Sequence, residues 1–465
     1  MPNRKLRLFE LDQPLGSNAF SIYSTELRRL QGNILKGHGR DAEAHLFLTF
    51  RPRKGAEAKQ FLREFARKIT SAAKQQEQTK RHRRSGGSDL FAAVCLSAKG
   101  YRRLGFSTAA FSSEFRGGMQ TATRRLTDPP PRDWEPKFRK DVHAMVLLAH
   151  DNVQELLQQV GLVRAAASAC AEVSTELGMK MCDSEGRTIE HFGYVDGRSQ
   201  PLFFRRDVKR DSLNGRAPKE WDPSAGPKLV VVKDPLGGSD TACGSYYVFR
   251  KLEQNVKRFR ERVEALADAL GLTGADRQRA GALILGRFPD GTPVALSGEA
   301  LGKKVPRNDF TYAHEDPDGN RCPFAAHIRK TNPRGDFNGQ RPEIQRTHRV
   351  ARRGMPYGDP TPPGDDVNAL PETGVGLLFQ CYQKDLAEQF EFLQQTWAND
   401  KDMARNGTGI DPIIGQSDNG SYPNLKLPTE WGEPGRRRFG FHSFVTMKGG
   451  EYFFAPSIPF LRKLK

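Results

Sequence analysis

Apolar residues come in short runs along this chain, and their spacing switches between strand and helix periods. His45–Phe50 (HLFLTF) has strand composition, and a polar helical stretch follows over about Gly55–Gln76. The run Lys74–Gly87 is charged and ends in glycines, which predicts a solvated helix end and loop. Leu90–Leu96 is apolar enough for a buried strand, and AKGYRRLG reads as a short helix stopped by Gly105. Val142–Ala149 predicts another strand, followed by a helix from Asn152 and a strand near Ala171–Glu176.

The order of these elements matches the split βαβ pattern of ferredoxin-like domains with one inserted turn. The second half repeats the theme. Gly244–Arg250 is a strand candidate, and Leu252, Val256, Phe259, Val263, Leu266 and Leu270 then recur at helical steps, with Gly271 where a C-cap belongs. Gly376–Tyr382 predicts a strand, and its following helix carries Leu386, Phe390, Leu393 and Trp397 on one face, where core packing is the expected role of Trp397. SFVTMKGGEYFFAPS predicts a hairpin turned at Gly449–Gly450. The expected class is α+β: two ferredoxin-like halves of antiparallel sheet covered by helices. Residues 1–25 form a leader, 26–209 the first half, 210–228 a Pro/Gly/Asn/Asp-rich linker and 229–465 the second half. Long Pro/Gly/Arg-rich segments span roughly 286–373, and loops of that length are usually functional.

Composition narrows the picture. No run reaches the ~18 apolar residues of a membrane span, and the N-terminus lacks the apolar core of a secretory signal. A cytoplasmic protein with no membrane partner is expected. Cys95, Cys170, Cys182, Cys243, Cys322 and Cys381 are scattered, which argues for free thiols over a disulfide or zinc framework. The net charge of +18 would attract polyanions. The basic residues are spread along the chain without a nucleic-acid-binding signature, so no specific nucleic acid is expected. HExxH, a phosphate loop, GxGxxG after a strand and GxSxG are all missing.

Three segments stand out: HFGYVDGRSQP (His191–Pro201), CPFAAHIRKTNPR (Cys322–Arg334) and HRVARRGMPYG (His348–Gly358). Singly, each reads as a turn, a packed histidine or a basic loop. Together they resemble the dye-decolorising (DyP-type) haem peroxidase family, in order from about residue 28 to the C-terminus. LQGNILKGHGRDAEAHLFLTF, GSYYVFRKLEQNV and GLLFQCYQ correspond to further family stretches. The resemblance implies haem b between the two halves, with His327 as the axial iron ligand and Asp196 and Arg352 as the distal pair. It also implies Leu377 and Phe379 on the distal haem wall, and Arg329 and Arg334 near the haem propionates. His327 and Arg352 are 25 residues apart, slightly more than in many relatives, which leaves Arg353 as an alternative to Arg352.

The residue types suit that chemistry. An imidazole can donate to iron, and its second nitrogen then needs a carboxylate. Asp411 in GIDPIIG is a candidate for it, with a helix cap or turn as the equal alternative. Ionised Asp196 can carry the proton that moves between the two peroxide oxygens. Arg352, a fixed charge, can stabilise the oxygen–oxygen bond as it polarises. The implied reaction reduces hydrogen peroxide to water and oxidises bulky dyes or phenolic donors by single electrons. A homo-oligomer is compatible with the family.

Overall fold

Strand-forming runs from both ends of the sequence meet in one sheet. The computed structural model describes residues 6–211, 219–302, 307–336, 341–417, 422 and 424–465. In chain order the main strands are Ala42–Phe50 (β1), Phe91–Ser97 (β2), Ala144–His150 (β3), Ala171–Met179 (β4), Cys243–Gln254 (β5), Met355–Tyr357 (β6), Gly376–Gln383 (β7) and Val445–Ala455 (β8). They lie in the order β6-β7-β5-β8-β2-β3-β1-β4 within a ten-stranded sheet, with Val232–Lys233 pairing to β5 and Ala351–Arg352 to β7. Every pairing on this path is antiparallel. The N- and C-terminal strand groups join where Phe453 and Phe454 of β8 face Ser97 and Leu96 of β2. The end strands β6 and β4 lie against each other, so the sheet curls round on itself.

β2 and β3 are buried along their whole length, which is why they read as continuous apolar runs instead of an alternation. The helices Gly55–Phe65 (α1), Ala72–Ser85 (α2), Val153–Ala167 (α3) and Val256–Ala269 (α4) flank the strands. α4 buries Val256, Phe259, Val263 and Leu266 as the periodicity predicts, and Gly271 beyond its end has φ +67°. Leu252 belongs to β5 instead. Asn152 caps α3 by accepting the Glu155 N–H.

Several sequence expectations change in detail. The helix expected over 55–76 is two. α1 ends at Phe65, Thr70 N–H is bound by Ala92 O, and Ser71 then caps α2 by accepting from Lys74 N–H. α2 runs through the charged segment to Ser85 and stops at Gly86, φ +69°. The hairpin expected at Gly449–Gly450 is instead one continuous strand with a bulge between Met447 and Gly449. The glycines serve close approach there. A Cβ on Gly449 would sit 2.4 Å from the Phe138 ring, and one on Gly450 would sit 2.3 Å from Phe249 O. Part of the 1–25 leader is folded, with Leu8, Leu15 and Ala19 buried and Leu15 N–H bonded to Phe203 O. Of the expected linker 210–228, residues 212–218 lie outside the described residues, while Trp221 and Ala225 are buried. The described cysteines are unpaired, and all but Cys182 are buried. No helix among the described residues is long and apolar enough to cross a membrane.

Candidate active site

A cavity of about 330 Å³ opens beside β5 and β7 and gathers most of the residues singled out in the sequence. Asp196, Arg352, His327, Leu377 and Phe379 all line it, as does Arg353. The segment 190–201 forms one wall, and the remaining lining comes from residues beyond 249.

Asp196 sits on a turn that only glycines permit. Gly193 and Gly197 have φ of +90° and +79°, and the Asp196 N–H is held by Thr188 O at 3.0 Å. Glu190 ties this turn down. Its carboxylate accepts the Phe192 N–H at 2.9 Å, the Tyr194 N–H at 3.2 Å and the Gln254 amide at 2.6 Å. Burial, reinforced by the nearby Asp196 charge, pushes the Glu190 carboxyl up to about 7.

Arg352 reaches the cavity from a short strand paired to β7. Its backbone N–H is held by Gln200 Oε1 at 3.1 Å, and its Nη2 donates to Arg198 O at 2.7 Å. Arg353 is committed elsewhere. Its Nε and Nη2 donate to Asn33 O and Ile34 O, and its Nη1 to Arg352 O. The geometry therefore favours Arg352 over Arg353 as the arginine available to a distal ligand.

His327 opens a short helix, His327–Thr331. Its Nδ1 is 2.7 Å from Asp411 Oδ2. The other oxygen of Asp411 accepts the Ile413 and Ile414 N–H groups at 2.8 and 3.1 Å, so this fully buried carboxylate is both turn-former and imidazole partner. With Nδ1 taken, Nε2 is the nitrogen left for the cavity.

Arg329 and Arg334, expected near the propionates, do not line the cavity themselves. Both are almost wholly buried, at 1% and 0% exposure. Arg329 is held by Asp336 and Asp316 at 2.6 and 2.8 Å and packs over Tyr312 and Phe324. Arg334 binds Asn308 O, Phe310 O and Ser199 Oγ. A buried guanidinium needs such partners: those of Arg329 lie 7 and 13 residues away along the chain, those of Arg334 between 24 and 135. The arginines that do line the cavity beside Arg352 and Arg353 are Arg198, Arg250, Arg287 and Arg349. Burial pulls Arg287, Arg349 and Arg353 down to about 10, so they remain cationic at neutral pH. Arg349 stands within HRVARRG, and Glu190 directly precedes HFGYVDG. Proximity to a motif was their only sequence signal.

The segment expected as a helix over Leu386–Trp397 has widened π-type turns, Leu386–Glu391 and Leu393–Ala398. Phe390, Leu393 and Gln394 from it line the cavity, while Trp397 is buried against Phe392 and His348.

The site's chemistry suits a flat apolar macrocycle with acidic edges. One imidazole nitrogen faces a cavity walled by Leu377, Phe379, Phe390 and Ile413 and rimmed by arginines. Arg250 Nη1 and Gln254 Oε1, from two lining residues, are buried and find no hydrogen-bond partner among the described residues.

Residues 29–180 match the family described as "DyP dimeric alpha+beta barrel domain", and residues 223–407 match "Dyp-type peroxidase, C-terminal". The chain is 42% identical over 460 residues to the multifunctional dye peroxidase DyP2 of Amycolatopsis sp., covering 95% of this chain and 96% of that one. It is 30% identical over 390 residues to the dye-decolorizing peroxidase AauDyP1 of Auricularia auricula-judae, covering 78% and 74%. Among solved structures, a DyP-type peroxidase of Anabaena sp. superposes with a TM-score of 0.91 at 42% identity over 97% of both chains.

Proposed function

The chain belongs to the DyP-type peroxidase family, enzymes that act on peroxide, and from that premise we propose how its own residues divide the work. The family implies a haem cofactor, and the reading here is haem b. His327 Nε2 would hold the iron, Leu377 and Phe379 would wall the macrocycle, and cavity-lining arginines, Arg349 among them, would meet its propionates. Arg329 and Arg334 act one layer back, as buried struts. The division into halves at 210–228 is part of the same proposal, as are a homo-oligomeric state and a cytoplasmic location.

Haem, when bound, would supply the redox chemistry, accepting the two oxidising equivalents of peroxide. Asp411 holds the Nδ1 proton of His327 and makes the ring a better donor. Asp196, fixed by its glycine turn, accepts a proton from the near peroxide oxygen and returns it to the departing one. Arg352 stabilises the negative charge that grows on that oxygen. Aromatic donors then give up single electrons.

The observation that carries this reading is the convergence of His327–Asp411, Asp196 and Arg352 on one cavity. The test is to titrate the apoprotein with haem and then assay dye bleaching by hydrogen peroxide. Wild type should develop a Soret band and bleach the dye. His327→Ala should lose the band at equal haem concentration. Equal haem uptake by the variant would refute the assignment.

A further inference from the structure

Arg353 reaches the cavity wall, but its guanidinium is turned to backbone carbonyls. Nε donates to Asn33 O at 2.6 Å, Nη2 to Ile34 O at 2.9 Å, and Nη1 to the carbonyl of its own neighbour Arg352 at 2.6 Å. Its backbone N–H donates to Gln380 O at 2.7 Å. Among the described residues no carboxylate forms an ion pair with it. Taking a charge from water without a counter-charge is unfavourable, so three carbonyls met by one planar fork are what this residue type supplies here.

Two of those carbonyls belong to LQGNILKGHG, a stretch about 320 residues away in sequence that has no other role in the site. It is firmly anchored. Asn33 and Ile34 are wholly buried, and Asn33 turns the chain with φ +68°. Asn33 N–H is held by Gln75 Oε1 at 2.8 Å, and Asn33 Oδ1 accepts the His38 N–H at 3.0 Å. His38 Nε2 lies 2.9 Å from one oxygen of the buried Glu43, and the other oxygen accepts the Gln380 amide. Because Gln380 O holds the Arg353 N–H, the bonds close a ring through Arg353, Asn33, His38, Glu43 and Gln380. The strand carrying Arg352 has little hold of its own. It spans only Ala351–Arg352, and the Arg352 side chain is fixed by Nη2 on Arg198 O.

We propose that Arg353 is a positioning residue for peroxide cleavage, which ties the Arg352 carbonyl to the buried segment 33–43 and so fixes Arg352 in the cavity. Resting on the Arg352 role above, this gives work to an N-terminal stretch that touches the site through Arg353. A lysine here could keep the charge but could not meet three carbonyls from fixed directions. Small displacements of a charged group at a reacting centre are costly in rate, so the support is expected to show in the chemistry as well as in stability.

The test compares ferric, haem-loaded wild type with Arg353→Lys, Asn33→Gly, Arg352→Leu and the double variant Arg352→Leu/Arg353→Lys. Fluoride is the equilibrium probe, a small anion that competes for the peroxide position and accepts a hydrogen bond from a distal arginine without turnover. Its Kd is measured beside the second-order peroxide rate, the haem affinity and the melting temperature. Arg353→Lys should raise the fluoride Kd and lower the peroxide rate by about tenfold, at unchanged haem affinity. Asn33→Gly suits the positive φ and keeps the carbonyl but loses the His38 contact, so it should move both quantities the same way by about threefold. In the Arg352→Leu background, Arg353→Lys should add nothing, because it acts through Arg352. A purely structural role would lower the melting temperature and leave the fluoride Kd and the rate per haem at wild-type values. Wild-type values in both Arg353→Lys and Asn33→Gly, or an equal loss from Arg353→Lys in the Arg352→Leu background, would overturn the proposal. Failure of the Arg352 reading is seen separately, as an Arg352→Leu variant with wild-type fluoride affinity and peroxide rate, and it would overturn this inference as well.

Discussion

Asp411 decides which nitrogen of His327 is free, and it does so with a carboxylate that also closes a backbone turn. Asp411→Asn keeps a hydrogen-bonding side chain but removes the charge. Haem affinity should fall about 10–100-fold, read by competitive haem transfer, with the fold intact by circular dichroism. Arg352→Leu should slow the peroxide step by about 100-fold or more while haem binding persists, measured as the second-order rate of the Soret change. Equal rates would shift the role to another arginine. At this scale the motifs picked out His327, Asp196 and Arg352, which the structure gathers on one cavity, because the glycines around Asp196 and the order of the three segments are local. Arg329 lies off the cavity wall for a physical reason. Its anchoring to Asp316 and Asp336 depends on where a loop folds back, which nothing beside CPFAAHIRKTNPR reveals. Glu190 was passed over because its carboxylate acts on backbone groups of the very turn that draws the eye.

At the scale of elements, the apolar runs located every main strand except β6, but the glycine pair in β8 was misleading. GG between apolar runs is a turn signal, whereas here both positions are pressed against neighbours. Gly449→Ala should destabilise by about 1–3 kcal/mol, through overpacking on Phe138, in a denaturant melt with unchanged slope. By contrast Gly161, exposed in α3 with open space around its Cα, marks a site where Gly161→Ala should stabilise by about 0.5–1 kcal/mol. β3 is preceded by a pH-sensitive residue. His143 Nδ1 accepts the Phe50 N–H at 2.8 Å, the ring stacks on Phe50, and burial, aided by Arg103, lowers its value to about 4. The unfolded chain therefore takes up this proton first as pH falls. Stability that is full above the ordinary value near 6.5 should drop as pH falls toward about 4, by up to about 3 kcal/mol. Melts across that window should show the loss, and His143→Gln should flatten it.

On the scale of the whole molecule, the sheet explains why sequence order and site geometry look unrelated. Residues 190–201, 327–332, 349–354 and 413–416 come together because β5 and β7 present one face to all of them. The α+β class was legible from strand and helix spacing, but the joining of both strand groups through β8 and β2 was not, since that contact spans most of the chain. The charge of +18 has a partial outlet in the arginines round the cavity, a field that favours anionic ligands. We propose that this assembly cleaves peroxide with Asp196 as proton carrier. The most direct measurement mixes haem-loaded protein with one equivalent of hydrogen peroxide in a stopped-flow spectrometer, for wild type and Asp196→Asn. A rapid Soret change is expected in wild type and a rate lower by about 100-fold or more in the variant, with equal haem content. A wild-type Soret band indifferent to peroxide, or a variant as fast as wild type, would contradict it.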